Sequence, residues 1–240
     1  MYEQLKQNII PYALIALILL CAGCGGLVYH QVRPDDTLYS ISWHYNQDYR
    51  QVAQWNGIEP PYVIHEGEWL RVAPPRGEAV VRTLPIVTES NKTAPKKMAP
   101  SINSSETKQP EKTDTVSRVD VEWMWPAKGQ VIEKFKANSP GNQGIDISAS
   151  IGTPVYAAAA GKVVYSGNGL RGYGNLIIIK HNDKYLSAYG HNQQNLVKEG
   201  VQVKQGEMIA RVGNTEAERA QLHFQIRIDG KPVDPLRYLP

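Results

Sequence analysis

The chain has 240 residues and a formal net charge of +3, enough for one or two modest domains, each with its own core. No basic block is dense enough, or interleaved with enough aromatics, to bind nucleic acid, so that class is excluded. The 20 glycines and 16 prolines favour turns and linkers over long helices, and the two cysteines, Cys21 and Cys24, provide no disulfide framework.

The first element is the apolar run from Ile9 to Cys21, which contains Pro11 and follows Lys6, whose charge Glu3 partly cancels. It is shorter than the roughly 20 residues a membrane span requires, and suits the core of a signal peptide. The text Leu20-Cys21-Ala22-Gly23-Cys24 resembles a bacterial lipobox, with Cys21 where leucine is usual. The resemblance implies removal of residues 1–23 and acylation of Cys24. Gly25 is not the aspartate that would signal inner-membrane retention, so a lipid anchor in the outer membrane, facing the periplasm, is expected.

Tyr29–Val32 alternates as a short strand and Trp69–Val72 reads as another. Between them, Leu38, Ile41, Ser42 and Tyr45 recur at helical spacing after Asp36-Thr37. A second helix is announced by Asp48, with Gln51 as its capping-box partner, and is ended by Asn56-Gly57. This βααβ unit, residues 24–73, resembles a LysM domain in Asp36–Ile41, Asn56-Gly57-Ile58, Pro61–Ile64 and Glu66–Leu70. Asp35 replaces the family's usual glycine, and aspartate tolerates the turn needed there. The resemblance implies that peptidoglycan glycan strands bind along Asp36, Thr37, Leu38, Asn56, Ile58 and Ile64. Core packing is the competing reading for Leu38.

Residues 74–122 show no sustained period and are rich in Pro, Ser, Thr and Lys. They are expected to be a disordered tether with a root-mean-square span of roughly 35–40 Å, able to stretch to about 150 Å.

From residue 123 to 240 the signals are those of an antiparallel β domain. Gly161–Tyr165, Leu176–Lys180 and Tyr185–Tyr189 are β-rich runs, and Asp229-Gly230 is a hairpin turn between Phe224–Ile228 and Pro232-Val233. Alternation sends Leu222, Phe224, Ile226 and Ile228 to the core, and Gln221, His223, Gln225 and Arg227 to the opposite face. His181, at a strand end beside Asn182, is expected to be solvated.

The order Asn142-Gln143-Gly144-Ile145-Asp146, Tyr189-Gly190-His191 and Gln221-Leu222-His223 resembles the lysostaphin/LytM-type zinc metallopeptidases. Their pattern opens His-x-Gly-x-Asp and closes His-x-His. Asp146 and His223 then match zinc ligands and His191 a catalytic histidine. Asn142 stands at a ligand histidine and Gln221 at the second catalytic one. Zinc needs three protein ligands and an open position, and glutamine cannot exchange a proton near neutral pH. An inactive site without metal or other cofactor is expected, with His223 hydrogen-bonded to Asp146.

The fold class expected is α+β in two domains, a small βααβ LysM unit and a mainly antiparallel-β LytM-like unit of the duplicated hybrid motif, or barrel-sandwich, type. The glycine-rich segment Gly167–Asn175 reads as a groove-edge loop. Lipobox, one LysM, tether and degenerate LytM domain together resemble the murein hydrolase activator lipoproteins of the NlpD type. That resemblance implies activation of an N-acetylmuramoyl-L-alanine amidase in daughter-cell separation, with division machinery as a further partner. Arg171, Tyr173, His191, Gln221, His223 and Arg227 are the groove residues expected to meet the amidase. The rival readings are a peptidoglycan endopeptidase with an unusual ligand set and a non-catalytic tether between wall and membrane.

Overall fold

A computed structural model describes residues 29–75, 121–137 and 142–240. The leader, Cys24 and nearly all of the tether lie outside the described residues.

The N-terminal fold runs β1 (Tyr29–Gln31), α1 (Leu38–His44), α2 (Tyr49–Asn56) and β2 (Trp69–Arg71), with the two strands antiparallel. Helix α1 starts at Thr37, whose side chain accepts from Ser40 N–H while the Ser40 hydroxyl accepts from Thr37 N–H. Asp35 sits at φ 64°, in the left-handed turn its sequence position calls for. Asp48 caps α2, but through the N–H of Arg50 at 2.8 Å. The capping box expected with Gln51 is not formed; instead the Arg50 guanidinium folds back onto the Asp48 carboxylate. Gly57 ends α2 at φ 65°. The core of this fold is Val32, Leu38, Ile41, Val52, Ala53, Leu70 and Val72.

The distal fold is a ten-stranded antiparallel sheet. Its strands are β3 (Gln130–Glu133), β4 (Ile145–Ser148), β5 (Pro154–Tyr156), β6 (Gly161–Gly167), β7 (Asn175–Lys180), β8 (Tyr185–Asn195), β9 (Gln202–Val203), β10 (Met208–Val212), β11 (Gln221–Ile228) and β12 (Lys231–Val233). The main path is β3-β4-β11-β8-β7-β6-β9, with β10 bridging β5 to β8. Asp229 and Gly230 turn β11 into β12 at φ 49° and 74°, the positive values that match a hairpin's twist. Leu222, Phe224 and Ile226 are fully buried in the larger core, as alternation requires.

Strand β7 departs from simple alternation. Leu176, Ile177, Ile178 and Ile179 are all fully buried, because Ile177 and Ile179 face the larger core while Leu176 and Ile178 join a second cluster on the other face. That second cluster contains Trp43 of α1. The N-terminal fold therefore covers part of the distal sheet.

His181 is half-buried and packs edge-on against Trp123, with ring centroids 4.9 Å apart. This corrects the expectation of a solvated residue. Its Nδ1–H donates to the Ala160 carbonyl and its Nε2 accepts from the Ser187 hydroxyl, both at 2.8 Å. Burial pushes its pKa down to about 4. Because the unfolded ring binds a proton near pH 6.5 and the folded one resists it, stability is expected to fall as pH drops from about 6.5 to about 4, by about 2–3 kcal/mol. Urea denaturation at pH 7 and pH 4.5 checks this, and the difference should shrink in His181→Gln.

Candidate functional site

The site is assembled by strand register. On β11, His223 pairs with Asp146 of β4 on one side and with Gly190 of β8 on the other. His191 follows Gly190 at φ 61°, a left-handed value unusual for histidine. It is held there by its N–H on Tyr173 O at 2.7 Å and by Nδ1 on Thr215 O at 2.8 Å. Burial lowers the His191 pKa, and the neighbouring His223 adds to the effect.

A cavity of about 400 Å³ opens over these strands, lined among others by Asp146, Arg171, Tyr173, His191, Gln221 and His223. At its floor, His223 Nδ1–H donates to Asp146 Oδ1 at 2.5 Å, and His223 Nε2 accepts from the Gln225 amide at 2.8 Å. Asp146, His223 and Gln225 thus form one continuous chain of side-chain hydrogen bonds. Gln221 donates to Asp146 Oδ2 at 3.2 Å and accepts from Arg219 Nε at 3.3 Å.

Asn142 is buried three residues before β4 but does not line the cavity. Its amide donates to Lys134 O and its oxygen accepts from Gly144 N–H, both at 3.2 Å, so the side chain closes a turn. Among the described residues, no group of three His, Cys, Asp or Glu side chains is placed to hold a metal. The donor set does not fit a catalytic zinc. Asp146 and His223 are bonded to each other, and the neutral Asn142 amide is committed to the backbone.

Residues 30–73 match the LysM domain family and residues 140–235 the peptidase family M23. The lipoprotein NlpD/LppB homolog of Pseudomonas aeruginosa is 44% identical over 228 residues, covering 87% of this chain and 76% of that protein. The chain belongs to the NlpD family of lipoproteins that join a LysM and an M23 domain. The chain is also similar to the uncharacterized lipoprotein YgeR of Escherichia coli, 41% identical over 98% of this chain and 94% of its own length, and to the murein hydrolase activator NlpD of the same organism, 39% identical over 88% of this chain and 67% of its own. Among solved structures, a zinc-containing peptidase from Vibrio cholerae is 30% identical, covering 50% of this chain and 41% of that one, with a TM-score of 0.47.

One expected groove residue of this NlpD-family chain sits elsewhere. Arg227 lies on the same face of β11 as His223 and Gln225, yet it is 1% exposed and does not line the cavity. Its guanidinium stacks over the Trp43 ring at 3.7 Å and donates to Trp43 O at 2.8 Å. Burial lowers its pKa to about 10, against the opposing effect of Tyr173 beside it. Alternation identifies the face of a strand but not what covers it.

Two residues expected along the glycan edge are likewise committed to the fold. Leu38 is 1% exposed in the LysM core. The Asn56 amide bonds Val52 O, Arg71 O and Arg71 N–H at 2.7–2.9 Å, tying α2 to β2. Asp36, Thr37, Ile58 and Ile64 are half-buried. Sequence reasoning also missed Glu133 and the turn Glu216–Arg219 as groove lining. The signal available was a charged turn lying immediately before the Gln-x-His text.

Proposed function

We propose that this chain binds the wall through its LysM domain and docks an N-acetylmuramoyl-L-alanine amidase in the M23 groove, switching the amidase on without cutting peptidoglycan itself. The observation that carries the reading is the closed Asp146–His223–Gln225 chain of hydrogen bonds at the floor of an open, charged groove. Such a floor engages Asp146 and His223 with each other, which supports a role other than activating water, and Arg171, Arg219, Glu133, Glu216 and Glu218 around it provide the charged groups a protein partner can pair with. Membership of the NlpD family supports a peptidoglycan-related activator role. The names of its relatives support association with a membrane as a lipoprotein. In this reading Cys24 carries the lipid in the outer membrane, Asp36, Thr37, Ile58 and Ile64 meet the glycan, and division machinery brings the chain to the septum. Activation requires that the groove favour the open form of the amidase, because a partner shifts an equilibrium only by differential affinity.

The test uses the full chain, purified amidase and peptidoglycan sacculi. The chain alone should release nothing, and together with amidase it should accelerate release. Arg171→Ala is expected to weaken stimulation by tenfold or more, since truncating a central arginine commonly removes about 2 kcal/mol of binding. Peptide fragments released by the chain alone would establish an endopeptidase. Full stimulation by Arg171→Ala would move the amidase to another surface.

A further inference from the structure

We propose that the LysM fold is latched in cis onto the sheet of the M23 fold by Trp43 and Arg227, and that a glycan strand at the Asp36–Thr37 edge releases the latch. The inference rests on the glycan reading given above. Trp43 lies on α1, yet it belongs to no LysM core. It is 2% exposed, buried in a cluster whose other members all come from the distal fold, among them Val164 and Tyr165 of β6, Leu176 and Ile178 of β7, and Leu186 and Ala188 of β8. On a LysM fold standing alone this indole would face water, and removing it from water is the main favourable contribution to the joint.

Arg227 ties the joint to the groove. While Nη1 donates to Trp43 O, Nη2 donates to Gln143 Oε1 at 3.1 Å, and Gln143 lines the cavity. The rim adds Arg50 to Asp229 at 2.7 Å and Lys231 Nζ to Asn46 O at 3.2 Å. At the hairpin tip, a Cβ on Gly230 would meet Gln47 O and Asp48 N at 2.5 Å, so the backbones of the two folds touch there.

The joint is also built to open. Among the described residues, Trp43 Nε1 and Arg227 Nε are buried without a hydrogen-bond partner, and each would regain one in water. The rim pair Arg50–Asp229 is half-exposed and adds little. Thr37 is where glycan and latch meet. Its hydroxyl donates to Val164 O at 3.2 Å across the joint, and it stands in the loop a sugar would enter. One loop cannot serve both ligands at once. Closure therefore lowers the apparent glycan affinity by the open fraction, and by reciprocity glycan opens the joint. Opening exposes Arg227 beside Tyr173 and Gln143, lengthening the polar face available to a groove partner.

The experiment places a dye pair at Gln54→Cys and Ile151→Cys, both on exposed positions, in the lipidated full chain in micelles. Single-molecule energy transfer and binding of an N-acetylglucosamine tetramer are then measured. The otherwise native chain should give one narrow transfer population, which the tetramer broadens. Trp43→Ser, which spares the LysM core, and Gly230→Asn, which keeps a residue tolerant of the left-handed turn but drives its Cβ into the LysM backbone, should both give the broad population without sugar. Both should bind the tetramer about tenfold more tightly. Circular dichroism establishes that the two variants are folded. Transfer populations identical to the native one in both variants would overturn the latch. Equal tetramer affinity in all three proteins would overturn the competition. Failure of all three to bind the tetramer would remove the glycan reading and the competition with it, while the transfer comparison would still decide the latch.

Discussion

Truncating Phe224 to alanine is expected to lower unfolding stability by about 3–5 kcal/mol, the usual range for an aromatic removed from a packed core. The ring is fully buried, tilted against Tyr189 with centroids 5.4 Å apart. It sits on the strand whose neighbours are β4 and β8, next to the residue whose side chain bonds Asp146. The cavity left behind would loosen the register that brings Asp146, Gly190 and His223 into line, so stimulation of an amidase should fail together with the fold. Thermal denaturation should show a drop in Tm on the order of 10 °C. A drop of only a degree or two would mean that neighbouring side chains refill the space and that β11 is not the element holding the site.

The second large effect concerns zinc. Asn142→His with Gln221→His would place a histidine at both positions where the resemblance to the zinc metallopeptidases expects one, and on that resemblance the first is expected to swing in beside Asp146 and His223 as a third ligand. The native chain should purify with far less than one zinc, while the double variant should approach about one per chain and be stabilised by the metal. Elemental analysis before and after chelation, with Tm followed in parallel, provides the check. The gain must overcome two native commitments, the Asn142 bonds to Lys134 and Gly144 and the His223 bond to Asp146. Stoichiometric, tightly held zinc in the native chain would overturn the reading of an inactive site.

What was legible in the sequence was whatever neighbouring residues settle among themselves. The pair Asp36-Thr37 marks the start of α1, and Thr37 caps it. Asp229-Gly230 makes the hairpin because both accept positive φ. Leu222, Phe224 and Ile226 turn inward, and Gln221, His223 and Gln225 outward, because a strand alternates. The same alternation puts Gln221, His223 and Gln225 together on the cavity floor.

The tertiary structure alone decided what lies against each surface. Asn56 proved to be a pin between α2 and β2, because its amide reaches Arg71, 15 residues along the chain. The unbroken run Leu176–Ile179 was a visible hint that β7 is covered on both faces, but it did not say by what. The cover includes Trp43, and Arg227 bonds its carbonyl from 184 residues away. Alternation is set by the backbone of one strand, whereas burial depends on which distant surface has the complementary shape and charge, and no local pattern encodes that choice.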